Sequence, residues 1–202
     1  MADQVDKAGF PHYMIKEIFE QPQGLRDTIL PRVSLDEGVV RLQDVRIQAD
    51  DLRALRRINI VASGTSRHAG MVGQYMIQEL VNVPVDVDYA SEFEYRNSLI
   101  GPGEITVVIT QSGETADTTS AQREAKARGS HTIAISNVID STIAREADGV
   151  MYTYAGREIS IASTKAFTAQ MAVLFLFALY LGQVRGKLGK EQRRQYLPGL
   201  GS

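Results

Sequence analysis

Two short turns in this sequence are crowded with hydroxyl and amide side chains. Residues 63–66 read Ser-Gly-Thr-Ser, and residues 110–115 read Thr-Gln-Ser-Gly-Glu-Thr. Hydroxyl and amide groups donate hydrogen bonds without carrying a charge. The donors in the two turns are Thr65, Ser66, Thr110, Gln111, Ser112 and Thr115. Neutral donors grouped in this way suit a phosphate monoester, which backbone N–H groups and hydroxyls can bind without a Lys or Arg.

Each turn lies between an apolar β run and a helical pattern. Residues 58–62 precede the first turn, and residues 105–109 precede the second. In an open parallel sheet, ligands bind beyond the carboxyl ends of the strands, where the strand order reverses. Free N–H groups and the positive end of the dipole at a helix N-terminus favour an anion there. We expect Gly64 and Gly113 to let the backbone come close to that ligand.

Two other interpretations of the turns are open. Ser and Thr are preferred helix N-caps and Gly is common in turns, so these residues could serve the fold alone. The presence of two such turns at the same predicted sheet edge favours a ligand site. A nucleotide site is disfavoured, because neither G-x-G-x-x-G nor G-x-x-x-x-G-K-[ST] occurs in the sequence.

Other chemically capable residues near the turns have structural alternatives. We expect Glu114 to act as a helix cap or dipole partner rather than as a base. Lys165 lies in the first turn of a predicted helix, where a cation is unfavourable, so it indicates a ligand or interface contact unless it is solvated. His68 follows the first turn and could face the site. The spacing of the three histidines predicts no metal site, and we expect no cofactor.

The elements that position the turns alternate between strand and helix from residue 57 onward. Strands are predicted at residues 58–62, 84–89, 105–109, 131–136 and 150–154. Helices are predicted at residues 67–81, 91–95, 116–128 and 141–147, with a long helix from about residue 163. Single helices between strands imply right-handed crossovers. The pattern predicts an α/β fold with a doubly wound, flavodoxin-like sheet of five parallel strands and helices on both faces, in three layers.

The flanking regions divide the chain further. Residues 1–11 read as a linker and residues 12–56 as an N-terminal helical segment. Within that segment Pro22 predicts two short helices rather than one continuous helix. Residues 57–188 form the predicted α/β domain, and residues 189–202 form a helical tail.

Composition disfavours several classes of function. The 22 Lys and Arg nearly balance the 24 Asp and Glu, for a formal net charge of -2. This disfavours a nucleic-acid partner, which needs a basic face. The chain has no cysteine, so disulfides and thiol nucleophiles are excluded. The apolar run at residues 171–182 is shorter than the roughly 20 residues that cross a membrane. It predicts a helix that is buried all round, or at a subunit or domain interface, in a soluble protein. We expect a cytoplasmic location and no membrane partner.

The two turns resemble those of the sugar isomerase (SIS) domain family. Further matches are HYM at 12–14, KEI at 16–18, EQP at 20–22, SEF and YR between 91 and 96, and ASTKAFT at 162–168. The resemblance runs in family order from about residue 9 to residue 198. Within the family it points to members that carry two SIS halves after a glutaminase domain, and this chain resembles the first half. It has Ser63 where the family usually has Cys.

The resemblance implies a role for the turn residues. The six donors of the turns would bind the phosphate and nearby hydroxyls of fructose 6-phosphate or glucosamine 6-phosphate, with further contacts from Ile161 to Ser163. The catalytic groups of the family belong to the second half, so we expect no catalytic residue here and no turnover by the isolated chain. The apolar helix face at residues 171–181 implies a homodimer.

Two alternative functions remain open at this point. The chain could be a free-standing regulatory module that binds a phosphosugar. It could also be a small aldose–ketose isomerase that uses Glu114 or His68 as its base.

Overall fold

The computed structural model describes residues 6–96 and 99–197. Its helices are α1 (Tyr13–Ile29), α2 (Ala49–Ala54), α3 (Gly64–Val81), α4 (Ala90–Phe93), α5 (Ala116–Ala127), α6 (Thr142–Glu146), α7 (Lys165–Val184) and α8 (Lys190–Tyr196). Its strands are β1 (Val33–Ser34), β2 (Val39–Val40), β3 (Arg57–Ala62), β4 (Val85–Tyr89), β5 (Glu104–Ile109), β6 (His131–Ser136) and β7 (Gly149–Tyr152). Residues 1–5 of the predicted linker and 198–202 of the predicted tail lie outside the described residues.

The main sheet has five parallel strands in the order β4-β3-β5-β6-β7. Along the chain, β3 is the first strand of this sheet. The next strand, β4, is added on one side of β3, and β5, β6 and β7 are added in turn on the other side. Residues 58–62 are almost completely buried, as expected for a strand covered by helices on both faces. The predicted doubly wound, flavodoxin-like sheet is confirmed, and the bounds predicted for β6 match those in the structure.

The N-terminal helix differs from its prediction. Residues 13–29 form one continuous helix with Pro22 inside it, so the prediction of two short helices is wrong. A proline normally breaks a helix because it lacks the N–H that bonds the carbonyl four residues earlier. Here the side-chain amide Nε2 of Gln21 donates to the carbonyl oxygen of Ile18 at 3.1 Å. That bond replaces the one that Pro22 cannot make.

The segment between α1 and β3 also contains strand, which its helical spacing did not indicate. A 3-10 turn at Leu30–Arg32 leads into the antiparallel pair β1–β2. Apolar side chains of this segment, including Val40, Leu42 and Val45, share one core cluster with β3 and α7.

Helix α7 lies in the core of the fold. It is long and apolar enough to cross a membrane by length and composition, but 61% of its apolar window is buried inside the structure. Leu174 and Phe177 have no exposed surface, and α7 packs on both α3 and α1. The prediction of a buried helix is confirmed. Since no large apolar side chain of α7 is exposed, this helix gives no support to the expected homodimer, which stays a prediction.

Candidate functional site

The two hydroxyl-rich turns begin side by side because β3 and β5 are hydrogen-bonded neighbours in parallel. The register pairs Ala62 with Ile109, so the next residues, Ser63 and Thr110, leave the sheet at the same level. Helix α3 packs on the side of the sheet that holds α7, while α5 belongs to the cluster on the other side. The chain therefore diverges between β3 and β5, and a crevice opens at their carboxyl ends.

In the first turn the helix begins at Gly64, three residues earlier than predicted. Ser63 occupies the N-cap position, yet its side chain makes no capping hydrogen bond. The first N–H groups of a helix have no partner within the helix. Gly64 has a φ of 56°, and a Cβ built on it would meet no atom within 4 Å. The backbone of this turn therefore faces open space. Thr65 is exposed, whereas Ser66 is 8% exposed and sits under the turn.

The second turn is braced by its own hydroxyls. Thr110 is 4% exposed, and its Oγ1 accepts the N–H of Gly113 at 3.2 Å and lies 3.1 Å from the Thr115 hydroxyl. The Oγ of Ser112 accepts the N–H of Glu114 at 3.2 Å, which leaves its own proton free to donate. Thr115 is the N-cap residue of α5, but its side chain makes no capping hydrogen bond. The N-cap hydroxyls of the two turns, on Ser63 and Thr115, are therefore not used for capping.

Gly113 serves packing within the protein. Its φ is 72°, and a Cβ built on it would lie 2.0 Å from Oγ of Ser141 and 2.9 Å from Oγ of Ser136. The expectation was that this glycine admits a ligand. The structure instead places the Ser141 side chain against Gly113. Any larger residue would collide with that side chain, so only glycine lets the turn pack against the start of α6. Gly64 is the glycine that faces free space.

A third segment completes the site. The residues after β7 run past the two turns to the start of α7, and together they enclose a cleft of about 450 Å³. The lining residues are Ser63, Gly64, Thr65, Gln111, Glu158, Ser160, Ile161, Ala162 and Ser163. Ile161 is fully exposed. The Ser163 hydroxyl donates to Oε2 of Glu158 at 2.9 Å, so any contact it makes to a ligand is as an acceptor through its oxygen lone pairs, or through its backbone.

The structure brings only some of the predicted site residues to the cleft wall. Thr65, Gln111, Ile161 and Ser163 line it, together with Gly64. The other predicted residues stand behind or beside the wall, either buried (Ser66, Thr110, Gly113) or in the adjoining turn (Ser112, Thr115). The described lining residues include no Lys or Arg.

Glu158 and Ser160 are cleft residues that sequence reasoning missed. Oε1 of Glu158 accepts the N–H groups of Thr164 at 2.8 Å and of Ala166 at 3.4 Å, which caps the start of α7. The sequence signal of a capping box puts a Glu at the third position of the helix, whereas Glu158 precedes α7, so no local pattern predicts this cap. The carboxylate is the one charge among the described lining residues of the cleft.

Glu114 is a cap, as its prediction states. Its Oε1 accepts the N–H of Thr142 at 2.8 Å at the start of α6. This hydrogen bond, with one from the Thr142 side chain, holds the pKa of Glu114 below its usual value. A carboxylate engaged in this way with a lowered pKa is a poor proton acceptor. His68, the other candidate base, is exposed and does not line the cleft.

Lys165 is neither solvated nor exposed to the cleft. It is 4% exposed, and its Nζ lies 2.7 Å from Oε2 of Glu20 on α1. The alternative of a solvated surface lysine is therefore wrong. Among residues 6–96 and 99–197, no group of three or more His, Cys, Asp or Glu is placed to hold a metal ion.

The class of protein is indicated by two features together. These are the five-stranded doubly wound sheet and the two hydroxyl-rich turns at the point where its strand order reverses. The SIS domain model matches residues 51–180, and the chain belongs to this family of SIS domains. Its particular relatives are glutamine–fructose-6-phosphate aminotransferases (isomerizing). The protein of that name from Symbiobacterium thermophilum is 47% identical over 197 residues, covering 98% of this chain and 32% of the relative. The one from Chlorobaculum tepidum is 50% identical over 183 residues, covering 91% and 30%.

A solved structure gives the same relationship. The C-terminal domain of glucosamine-fructose-6-phosphate aminotransferase from Francisella tularensis superposes with a TM-score of 0.91 at 39% identity. The match covers 98% of this chain and 55% of that chain. The chain thus spans about a third of the length of these curated relatives, and the family resemblance found in its motifs is confirmed.

We predict that Gly113→Ala destabilises the fold far more than Gly64→Ala. Both positions need a positive φ, but only the Cβ at 113 collides with Ser141. Strained φ and overpacking together should cost Gly113→Ala about 3 kcal/mol of unfolding free energy in urea, against about 1 kcal/mol for Gly64→Ala. Adding Ser141→Gly should recover part of the loss at 113. Equal losses for the two single variants would contradict this account.

Proposed function

We propose that this chain is the sugar-phosphate-binding half of the isomerase part of a glutamine–fructose-6-phosphate aminotransferase, and that its cleft binds fructose 6-phosphate or glucosamine 6-phosphate. The observation that carries the proposal is the in-register pairing of β3 and β5, because it brings two helix N-termini and their free donors to one cleft. The substrate class follows from the relatives, which are glutamine–fructose-6-phosphate aminotransferases.

The phosphate is proposed to bind at the second turn. Ser112, Thr115 and the first N–H groups of α5 combine hydroxyl donors with the positive end of a helix dipole. The carboxylate of Glu158 belongs to the cleft wall that the residues after β7 form, and it repels a doubly charged phosphate. Like-charge repulsion therefore favours a bound orientation with the phosphate towards α5 and the sugar hydroxyls towards Glu158.

The sugar hydroxyls are proposed to contact the other two walls. Thr65 and the amide of Gln111 can donate from the turns, and the segment from Ile161 to Ser163 offers backbone groups. Ser66 and Thr110 would contribute from behind, Thr110 by holding the second turn through its bonds to Gly113 and Thr115. In this proposal Ser66 and Thr110 act indirectly, whereas the expectation from the sequence was that all six donors of the turns contact the ligand.

Catalysis is proposed to need groups outside this chain. The two candidate bases are poorly suited, since Glu114 caps α6 and His68 does not line the cleft. We propose that the chain binds the sugar phosphate but does not isomerise it, and that it acts in the cytoplasm.

A homodimer is proposed on a surface other than α7. Met14, Ile15, Ile18 and Phe19 are exposed along α1, and a row of exposed apolar residues on one helix marks an interaction surface. Light scattering on the purified chain should give the mass of two copies, and Ile18→Lys should shift it to one. A wild-type mass of one copy would contradict the dimer.

We predict that alanine at Ser112 or Thr115 weakens fructose 6-phosphate binding. A hydrogen bond to a charged group contributes about 1.5–3 kcal/mol, so each variant should raise the Kd about 10-fold or more in calorimetric titration. Ser120→Ala is the matched control, because Ser120 lies on α5, directly after the second turn, and its hydroxyl donates to Glu94 outside the cleft. If Ser112→Ala, Thr115→Ala and Ser120→Ala all bind as the wild type does, the phosphate assignment is wrong.

An isomerase assay separates the proposal from its main alternative. Incubation of the chain with fructose 6-phosphate should form glucose 6-phosphate no faster than buffer does, since neither candidate base, Glu114 or His68, lines the cleft. Turnover that disappears in Glu114→Gln or His68→Gln would instead establish a small aldose–ketose isomerase. Binding without turnover is also what a regulatory phosphosugar module would show. The 47% identity to an aminotransferase over 98% of this chain favours the proposal over that alternative.

A further inference from the structure

The segment between β7 and α7 has no helix or strand of its own, yet it forms one wall of the cleft. Residues 157–164 are irregular, and five of the nine lining residues come from this stretch. Strands and helices hold their shape through repeating backbone hydrogen bonds, which an irregular segment lacks. Its conformation therefore depends on side-chain hydrogen bonds. Glu158 supplies some of them from within the segment, to Ser163 and Thr164, and the others come from outside it.

Glu17 on α1 supplies the central attachment. Its side chain is 2% exposed, and Oε1 accepts the N–H of Ile159 at 2.6 Å and that of Ser160 at 3.2 Å. Within the described ranges, no ion pair includes Glu17. A buried carboxylate without a cation is costly unless hydrogen bonds satisfy it, and here the backbone of the cleft wall does so.

Further attachments fix the two ends of the same segment. At its start, Oδ1 of Asn137 accepts the N–H of Ala155 at 2.8 Å, and its Nδ2 donates to the carbonyl of Gly156 at 2.7 Å. At its end, Glu20 pairs with the buried Lys165. Glu17 and Glu20 are three residues apart and share one face of α1. The middle of the segment depends on Glu17.

We propose that Glu17 is a positioning residue for the cleft, which sets the backbone of Ile159 and Ser160 and through them the ligand-facing residues from 160 to 163. The inference rests on the proposed function for the identity of the ligand. Glu17 does not line the cleft, so its effect on binding acts through the segment. A wall held in its bound conformation spares the ligand the cost of ordering it.

The test compares Glu17→Ala and Glu17→Gln with the wild-type chain. Loss of a buried charged acceptor should speed amide hydrogen exchange at Ile159 and Ser160 by about 10-fold or more in Glu17→Ala, while Ala155, held by Asn137, stays protected. Trypsin should also cleave after the exposed Arg157 faster. The Kd for fructose 6-phosphate should rise about 10-fold. Glu17→Gln keeps an acceptor oxygen and should lie between the two in all three measurements.

Thr28→Ala is the matched control for general destabilisation. Thr28 is buried on the same helix and its hydroxyl bonds to backbone carbonyls, not to residues 157–164. It should lower the melting temperature without changing the exchange of Ile159 and Ser160 or the affinity. If Glu17→Ala behaves like Thr28→Ala, or if exchange accelerates while the Kd stays unchanged, the positioning role is overturned.

Failure of the proposed function gives a different result. In that case the wild-type chain itself does not bind fructose 6-phosphate, which removes the ligand from the proposal. The exchange and cleavage rates still decide whether Glu17 holds the segment, because neither measurement needs a ligand. Equal rates in wild type and Glu17→Ala would then overturn the proposal.

Discussion

The parallel pairing of β3 with β5 is the constraint on which the rest of the site depends. Because Ala62 lies opposite Ile109, the two following turns start at the same height and lead into helices on opposite sides of the sheet. Two helix N-termini can converge on one point only at such a divergence, since elsewhere in the sheet successive helices pack side by side on one face. A slip in this register would separate Thr65 from Gln111 and close the cleft. The apolar residues of both strands, buried on both faces, hold that register.

The periphery of the site is held by carboxylates rather than by apolar packing. Glu158 caps α7, Glu114 caps α6, and Glu17 binds the irregular segment between β7 and α7. Each of these acids accepts backbone N–H groups that have no partner in a helix or sheet. Rigid loops can carry a binding site only when such groups are satisfied. The core fixes where the turns emerge, and the acids fix the shape of what surrounds them.

Local pattern predicted most of the fold and the two turns, and it failed where distant residues act. The strands were found because buried parallel strands are continuous apolar runs, as at residues 131–136. The prediction of a helix break at Pro22 was wrong because the Gln21 side chain supplies the hydrogen bond that the proline cannot make. Whether a side chain reaches that carbonyl depends on its geometry, which local pattern does not show. The contact of Ser141 with Gly113 spans 28 positions, and the Lys165–Glu20 pair spans 145. Neither separation leaves a periodic signal, so the packing role of Gly113 and the burial of Lys165 required the structure.

The lack of Lys and Arg among the described lining residues has a consequence for how the cleft selects a ligand. A Lys or Arg attracts any anion at long range, whereas N–H dipoles and hydroxyls act only at contact and in fixed directions. With Glu158 as the one charge among the described lining residues, a small free anion gains little from the cleft and is repelled by that carboxylate. In the proposed orientation a sugar phosphate places its charge at α5 and its hydroxyls near the carboxylate, which accepts hydrogen bonds from them. On this proposal the cleft selects for the length and polarity of the ligand, and its precision depends on how firmly the wall from 157 to 164 is held.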